Sequence, residues 1–108
     1  MNIATIGTGR MGGTLGRRWA EVGHRVLFGS RDPHDERMRM LIEAAGTNAR
    51  AGTLREAVSF GDVILLAVLP DDVERVLEAA GDWNGKILIN CTNRFDGRSA
   101  DAEVRRLA

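Results

Sequence analysis

Apolar residues fall along this chain in short runs, and the stretches between the runs carry apolar residues at helical spacing. The runs at residues 2–6, 25–28, 49–51, 62–69 and 86–91 predict strands, and the stretches 10–22, 34–45, 54–60 and 71–80 predict helices. Strands alternating with helices in this rhythm predict a parallel sheet joined by crossover helices. The runs VILLAVL and ILINC are apolar without alternation, the pattern of strands covered on both faces.

The helical stretches carry their own punctuation. Met11, Leu15, Trp19 and Val22 share one stripe of the first helix, and Gly12 and Gly16, one turn apart, permit close contact with the sheet. Trp19 is accordingly read as core. The second helix is expected to stop at Gly46. Thr53 is expected to cap the third helix, with Glu56 three residues on, and Gly61 to end it. Pro70 stands at the entrance of the fourth, where Asp71, Asp72 and Glu74 suit the positive end of the helix dipole. Met38 and Met40, two apart, cannot both face the core, and Trp83, before the Asn84-Gly85 turn, is expected to plug a rim of it.

With no repeat, low-complexity tract or linker, residues 1–108 predict a single domain. Five strands joined by right-handed crossovers in the order 3-2-1-4-5 give an α/β, Rossmann-type doubly wound parallel sheet. The sixth strand of that architecture is expected to be absent, with DAEVRRLA ending in or just after a helix. An open edge on the fifth strand would then favour pairing between copies of the chain, so a homodimer is expected.

Composition narrows the partners only a little. The 15 basic and 15 acidic side chains balance, so net charge names no partner. All but one of the basic residues, Lys86, are arginine, a planar fork suited to phosphate, although genome base composition is the favoured explanation of such a bias. Arg98, Arg105 and Arg106 near the end are offset by Asp101 and Glu103 with no aromatic residues between them, which gives nucleic-acid binding little support. Cys91 is the only cysteine, so there is no internal disulfide framework, and no apolar run reaches membrane-spanning length. Gly7, Thr8, Gly9 and Arg10 interrupt the first apolar run before it resembles a signal peptide, and a cytoplasmic setting is expected. His24, in the turn before the second strand, and His34, at the expected start of the second helix, show no metal-ligand spacing, while Cys91 is read as a buried thiol without a catalytic role.

The most informative segment is GTGRMG. Gly7, Gly9 and Gly12 follow an apolar strand directly and open a helix directly. In that context the first glycine permits the tight turn, the second lets backbone approach a pyrophosphate, and the third lets helix and strand pack closely. The amides at the helix start then face the anion. A site for NAD places an acidic residue about 20 residues further on, at the end of the second strand, to hold the ribose 2′-hydroxyl. Here that strand ends in Gly29, Ser30 and Arg31, a small residue followed by a hydroxyl and a guanidinium, which receive a 2′-phosphate without repulsion. The expected cofactor is therefore NADP(H). Asp32 lies past the strand end and before Pro33, where a turn role is favoured over contact with ribose. Arg10 and Thr8, inside the loop, are further candidates for touching phosphate.

With GTGRMG, FGSR, AVLP and NCTNRFDGRSA read together, the chain resembles the family of NADP oxidoreductases that use the deazaflavin coenzyme F420. The resemblance implies hydride transfer between NADPH and a deazaflavin-like or flavin-like acceptor. It matches Thr8, Ser30 and Arg31 to the positions holding the 2′-phosphate, and Val68, Leu69 and Pro70 to the wall beside the dinucleotide. Asn90, Thr92 and Asn93 match the nicotinamide end. With Gly7, Gly9, Arg10, Met11 and Gly12 these form the candidate cofactor-binding set, and no catalytic acid or base is assigned. Members of that family continue into a C-terminal region that contributes acceptor binding, which this chain is expected to lack. Two other readings stay open: a non-catalytic NADP(H)-binding or sensing module acting with a partner protein, and an empty Rossmann turn in an interaction domain.

Overall fold

A computed structural model of the chain describes residues 1–7, 10–68, 73–81, 83, 85–90 and 103–106. The elements are β1 (Asn2–Ile6), α1 (Arg10–Glu21), β2 (Arg25–Gly29), α2 (Glu36–Ala45), β3 (Ala49–Gly52), α3 (Leu54–Phe60), β4 (Val63–Leu66), α4 (Val73–Ala80), β5 (Ile87–Asn90) and β6 (Glu103–Arg106). They form one sheet in the order β3-β2-β1-β4-β5-β6. The first five strands run parallel in the 3-2-1-4-5 order that the sequence predicts.

The expected absence of a sixth strand is corrected. Glu103–Arg106 pairs antiparallel with β5, Asn90 opposite Glu103 and Ile87 opposite Arg106. The charged residues of EVRR mask any strand pattern, but the outer edge of β5 presents unpaired N–H and C=O groups that a returning segment satisfies. That edge is now covered within the chain, so the ground for expecting a homodimer through it is gone.

Smaller differences have local causes. The ladder of β4 stops at Leu66 rather than residue 69, so Ala67 and Val68 leave the sheet toward the loop. Helix α2 starts at Glu36 because Asp35 caps it, its Oδ1 accepting from Met38 N at 2.8 Å, which leaves His34 in the preceding turn. The chain leaves α1 by a turn at Gly23 in which His24 N donates to Trp19 O at 3.0 Å. Val22, expected on the buried stripe, is therefore 73% exposed.

Alternate residues of each strand feed two cores. On one face Ala4, Ile6, Leu27, Ile64 and Leu66 meet Leu54, Ala57 and Val58 of α3 and Val76 of α4, with Trp83 packed at the margin. On the other, Ile3, Val26 and Phe28 meet Ala20 of α1 and Met38 and Ala45 of α2, with Trp19 packed against them. Met38 is buried and Met40 exposed, as their spacing requires. Helix α1 lies so close that a Cβ on Gly16 would overlap the Phe28 ring, Cζ being 2.7 Å away. Among the described residues no helix is long and apolar enough to cross a membrane.

Helix α3 is held at its start by a reciprocal pair. Thr53 Oγ1 accepts from Glu56 N at 3.1 Å, and Glu56 Oε1 accepts from Thr53 N at 3.0 Å. These hydrogen bonds, helped by the nearby charges of Arg50 and His34, hold the Glu56 carboxyl below its ordinary value of 4.5. A depressed carboxyl contributes stability above its unfolded value and loses it as pH falls through the folded one. The stability advantage of the native chain over Glu56→Gln is thus expected to shrink as urea denaturation is repeated from pH 7 toward pH 3. At pH 7, Thr53→Ala is expected to cost about 0.5–2 kcal/mol.

Candidate functional site

Because β1, β2 and β4 are parallel, their C-terminal ends share one edge of the sheet. Ile6 sits opposite Gly29 on one side and Leu66 on the other, so Gly7, Ser30 and Ala67 leave the sheet side by side. The strand order reverses between β1 and β4, where open α/β sheets form their ligand crevice.

The walls of this crevice approach as backbone against backbone. Ala67 N donates to Ile6 O at 2.8 Å. Gly7 has φ +94°, and a Cβ there would overlap the Ala67 carbonyl oxygen and lie 2.7 Å from its carbon. A Cβ on Gly12 would overlap the Gly7 carbonyl oxygen, which seats the first turn of α1 directly on the turn that follows β1. The first backbone amides of α1 thus adjoin the crevice.

The crevice contains a cavity of about 150 Å³ lined by Ile6, Gly7, Gly29, Ser30, Arg31, Leu54, Val68 and Val76. Among the described residues its apolar lining is Ile6, Leu54, Val68 and Val76, and its polar lining is Ser30, Arg31 and the two glycines. A Cβ on Gly29 would lie 2.7 Å from Ala57 Cβ, so helix α3 excludes a carboxylate from the last position of β2. Ser30 N donates to Gly52 O at 3.0 Å, and Ser30 Oγ accepts from Asp32 N at 3.1 Å. Asp32 O in turn accepts from Asp35 N at 3.4 Å, so Asp32 builds the turn, as its position before Pro33 predicts. Arg31 is exposed at the rim. A second cavity of about 210 Å³ is lined by Ser30, Arg31, Thr53, Leu54, Arg55 and Ala79.

Of the residues singled out in the sequence, Gly7, Ser30, Arg31 and Val68 line one cavity, and Gly12 packs behind Gly7. Asn90 ends β5, two strands from β1 along the same edge of the sheet. Arg10 and Met11 form the first turn of α1. Thr8, Gly9, Leu69, Pro70, Thr92 and Asn93 lie outside the described residues, as does Cys91. Leu54, Val76 and Arg55 were not singled out. The two apolar residues carry no motif, and only the packing of α3 and α4 beside the crevice brings them there.

Comparison with known proteins agrees with this geometry. The family described as NADP oxidoreductase, coenzyme F420-dependent, matches residues 2–94. A crystal structure described as an F420-dependent NADP reductase of Arthrobacter sp. FB24 superposes with a TM-score of 0.79 at 24% identity, covering 95% of this chain and 50% of that one. An imine reductase of Myxococcus stipitatus in complex with NADP⁺ superposes at 0.69 with 26% identity, covering 87% of this chain and 32% of that one. A reductive aminase of Aspergillus terreus in complex with NADPH gives 0.70 at 23% identity, over 86% and 32%. The chain thus spans half, or about a third, of the lengths of these structures.

The close approach at Gly7 separates two costs. Gly23 also has a positive φ, +103°, but a Cβ there meets nothing within 4 Å. Gly23→Ala is expected to cost about 1–2 kcal/mol, the strain of the conformation alone. Gly7→Ala is expected to cost clearly more, because the Ala67 carbonyl must also move. Urea denaturation of both variants checks this, and equal losses would show that the backbone contact carries no weight.

Proposed function

Because this chain belongs to the family of coenzyme F420-dependent NADP oxidoreductases, we propose that it is the NADP(H)-binding domain of an oxidoreductase that transfers hydride between NADPH and a deazaflavin or flavin acceptor. The observation that carries this reading is the crevice cavity joining Gly7 to Ser30 and Arg31, with no carboxylate among the described residues that line it.

The residues present fit such a cofactor. Gly7 and Gly12 let β4 and the start of α1 close directly on the turn after β1, which brings the first amides of α1 to the crevice, where they can donate to a pyrophosphate. Ser30 and Arg31 offer a hydroxyl and a planar cationic fork for a 2′-phosphate. Thr8 joins them on the strength of the family pattern. Val68, followed by Leu69 and Pro70, walls the dinucleotide, and Asn90, Thr92 and Asn93 hold its nicotinamide end. When bound, the nicotinamide supplies the hydride chemistry, so the chain is required to orient a ring rather than to provide an acid or base. A reducing cytoplasmic setting is part of the reading, supported by the lone Cys91.

Calorimetric titration with NADP⁺ and with NAD⁺ at one salt concentration tests it. NADP⁺ is expected to bind at least tenfold tighter, about 1.4 kcal/mol, with the gap shrinking in Arg31→Ala. Equal or absent binding overturns the reading. Oxidation of NADPH in the presence of coenzyme F420 or a flavin supports the oxidoreductase, whereas tight binding without turnover favours a cofactor-carrying module.

A further inference from the structure

Arg55 follows Leu54 at the start of α3 and is exposed. It lines the 210 Å³ cavity together with Ser30, Arg31, Thr53, Leu54 and Ala79. That space shares Ser30, Arg31 and Leu54 with the crevice cavity, so the two adjoin beside Leu54. Two arginines, carried by different elements, therefore line one space next to the Ser30–Arg31 end of the crevice.

The rest of the described lining suits a phosphate. The hydroxyls of Ser30 and Thr53 each accept a backbone N–H, from Asp32 and Glu56, and so keep their own hydrogens to donate. Glu56, the carboxylate nearest in sequence to Arg55, is held by the Thr53 amide and lines neither cavity. Among the described residues neither Arg31 nor Arg55 forms an ion pair. Two like charges facing one space repel when it holds only water, and a dianion between them relieves that repulsion while accepting several charge-assisted hydrogen bonds.

We propose that Arg55 is the second cation of the 2′-phosphate subsite, so that the monoester is held between Arg31 and Arg55 and selectivity for NADP(H) over NAD(H) depends on both. The proposal rests on the NADP(H) reading above and adds to it a residue on α3.

Titration of the intact chain with 2′,5′-ADP and with 5′-AMP tests it on wild type, Arg31→Ala and Arg55→Gln. Arg55→Gln is expected to weaken 2′,5′-ADP by about fivefold or more and to leave 5′-AMP nearly unchanged. The fall of 2′,5′-ADP affinity with rising salt is expected to be shallower in Arg55→Gln than in wild type, a change that a purely structural loss would not produce. If Arg31→Ala removes the preference for 2′,5′-ADP while Arg55→Gln keeps both the preference and the salt slope, the two-cation proposal is overturned and the NADP(H) reading stands. If wild type itself shows no preference, both fall. Matching thermal melts of wild type and Arg55→Gln confirm that the exposed substitution leaves the fold intact.

Discussion

Just past the ladder that joins β1 to β4, the Gly7 turn packs backbone on backbone against the Ala67 carbonyl, and the crevice depends on that contact. On one side of this point the chain winds through β2 and β3; on the other it returns through β4 and β5. Gly12 extends the contact by setting α1 on the Gly7 carbonyl, so turn, helix start and strand exit stack without a side chain between them. A single methyl group at either glycine would force backbone apart in a region packed at near-crystalline density, where movement cannot be absorbed locally. The direction of the α1 amides follows from this contact.

Around it the site divides into a generic part and a selective part. Ile6, Leu54, Val68 and Val76 give an apolar floor that would accept any nucleoside. Discrimination has to come from the rim, because apolar contacts reject a wrong ligand by only about 1–3 kcal/mol. Arg31 and Arg55 are exposed, so they rehydrate when no phosphate is present. Selectivity from the proposed two-cation subsite would thus reflect attraction gained in a screened setting rather than a penalty for buried, unpaired charge, and several donors acting together would matter more than any single pair.

Helix α3 links this rim to the fold. The capping pair of Thr53 and Glu56 fixes its start, Ala57 closes on Gly29 at the end of β2, and Leu54 reaches the cavity floor. One seven-residue helix therefore leaves no room for a side chain at Gly29 and carries Arg55 into the lining of the cavity that Arg31 shares. At the far side of the sheet, β6 covers the β5 edge, so the parallel strands end within the chain at that side.

How much of this was legible in the sequence varied with the range of the forces involved. The order of strands and helices, the capping of α3 by Thr53 and the glycine turn were readable because each arises from residues close in sequence, through periodicity, a hydroxyl at an N-cap or a missing Cβ. The joining of Gly7 with Ser30 and Arg31 was readable as well, since parallel strands at fixed spacing deliver their C-terminal ends to one edge. The strand at Glu103–Arg106 was not, because its pattern is charged and only an unpaired edge elsewhere in the chain calls it into the sheet. Val22 left its stripe because the turn at Gly23 ended the helix first. Nor did anything local mark Leu54, Val76 or Arg55 as site residues. Their place was decided by how α3 and α4 pack across the sheet, a long-range contact that local sequence patterns do not encode.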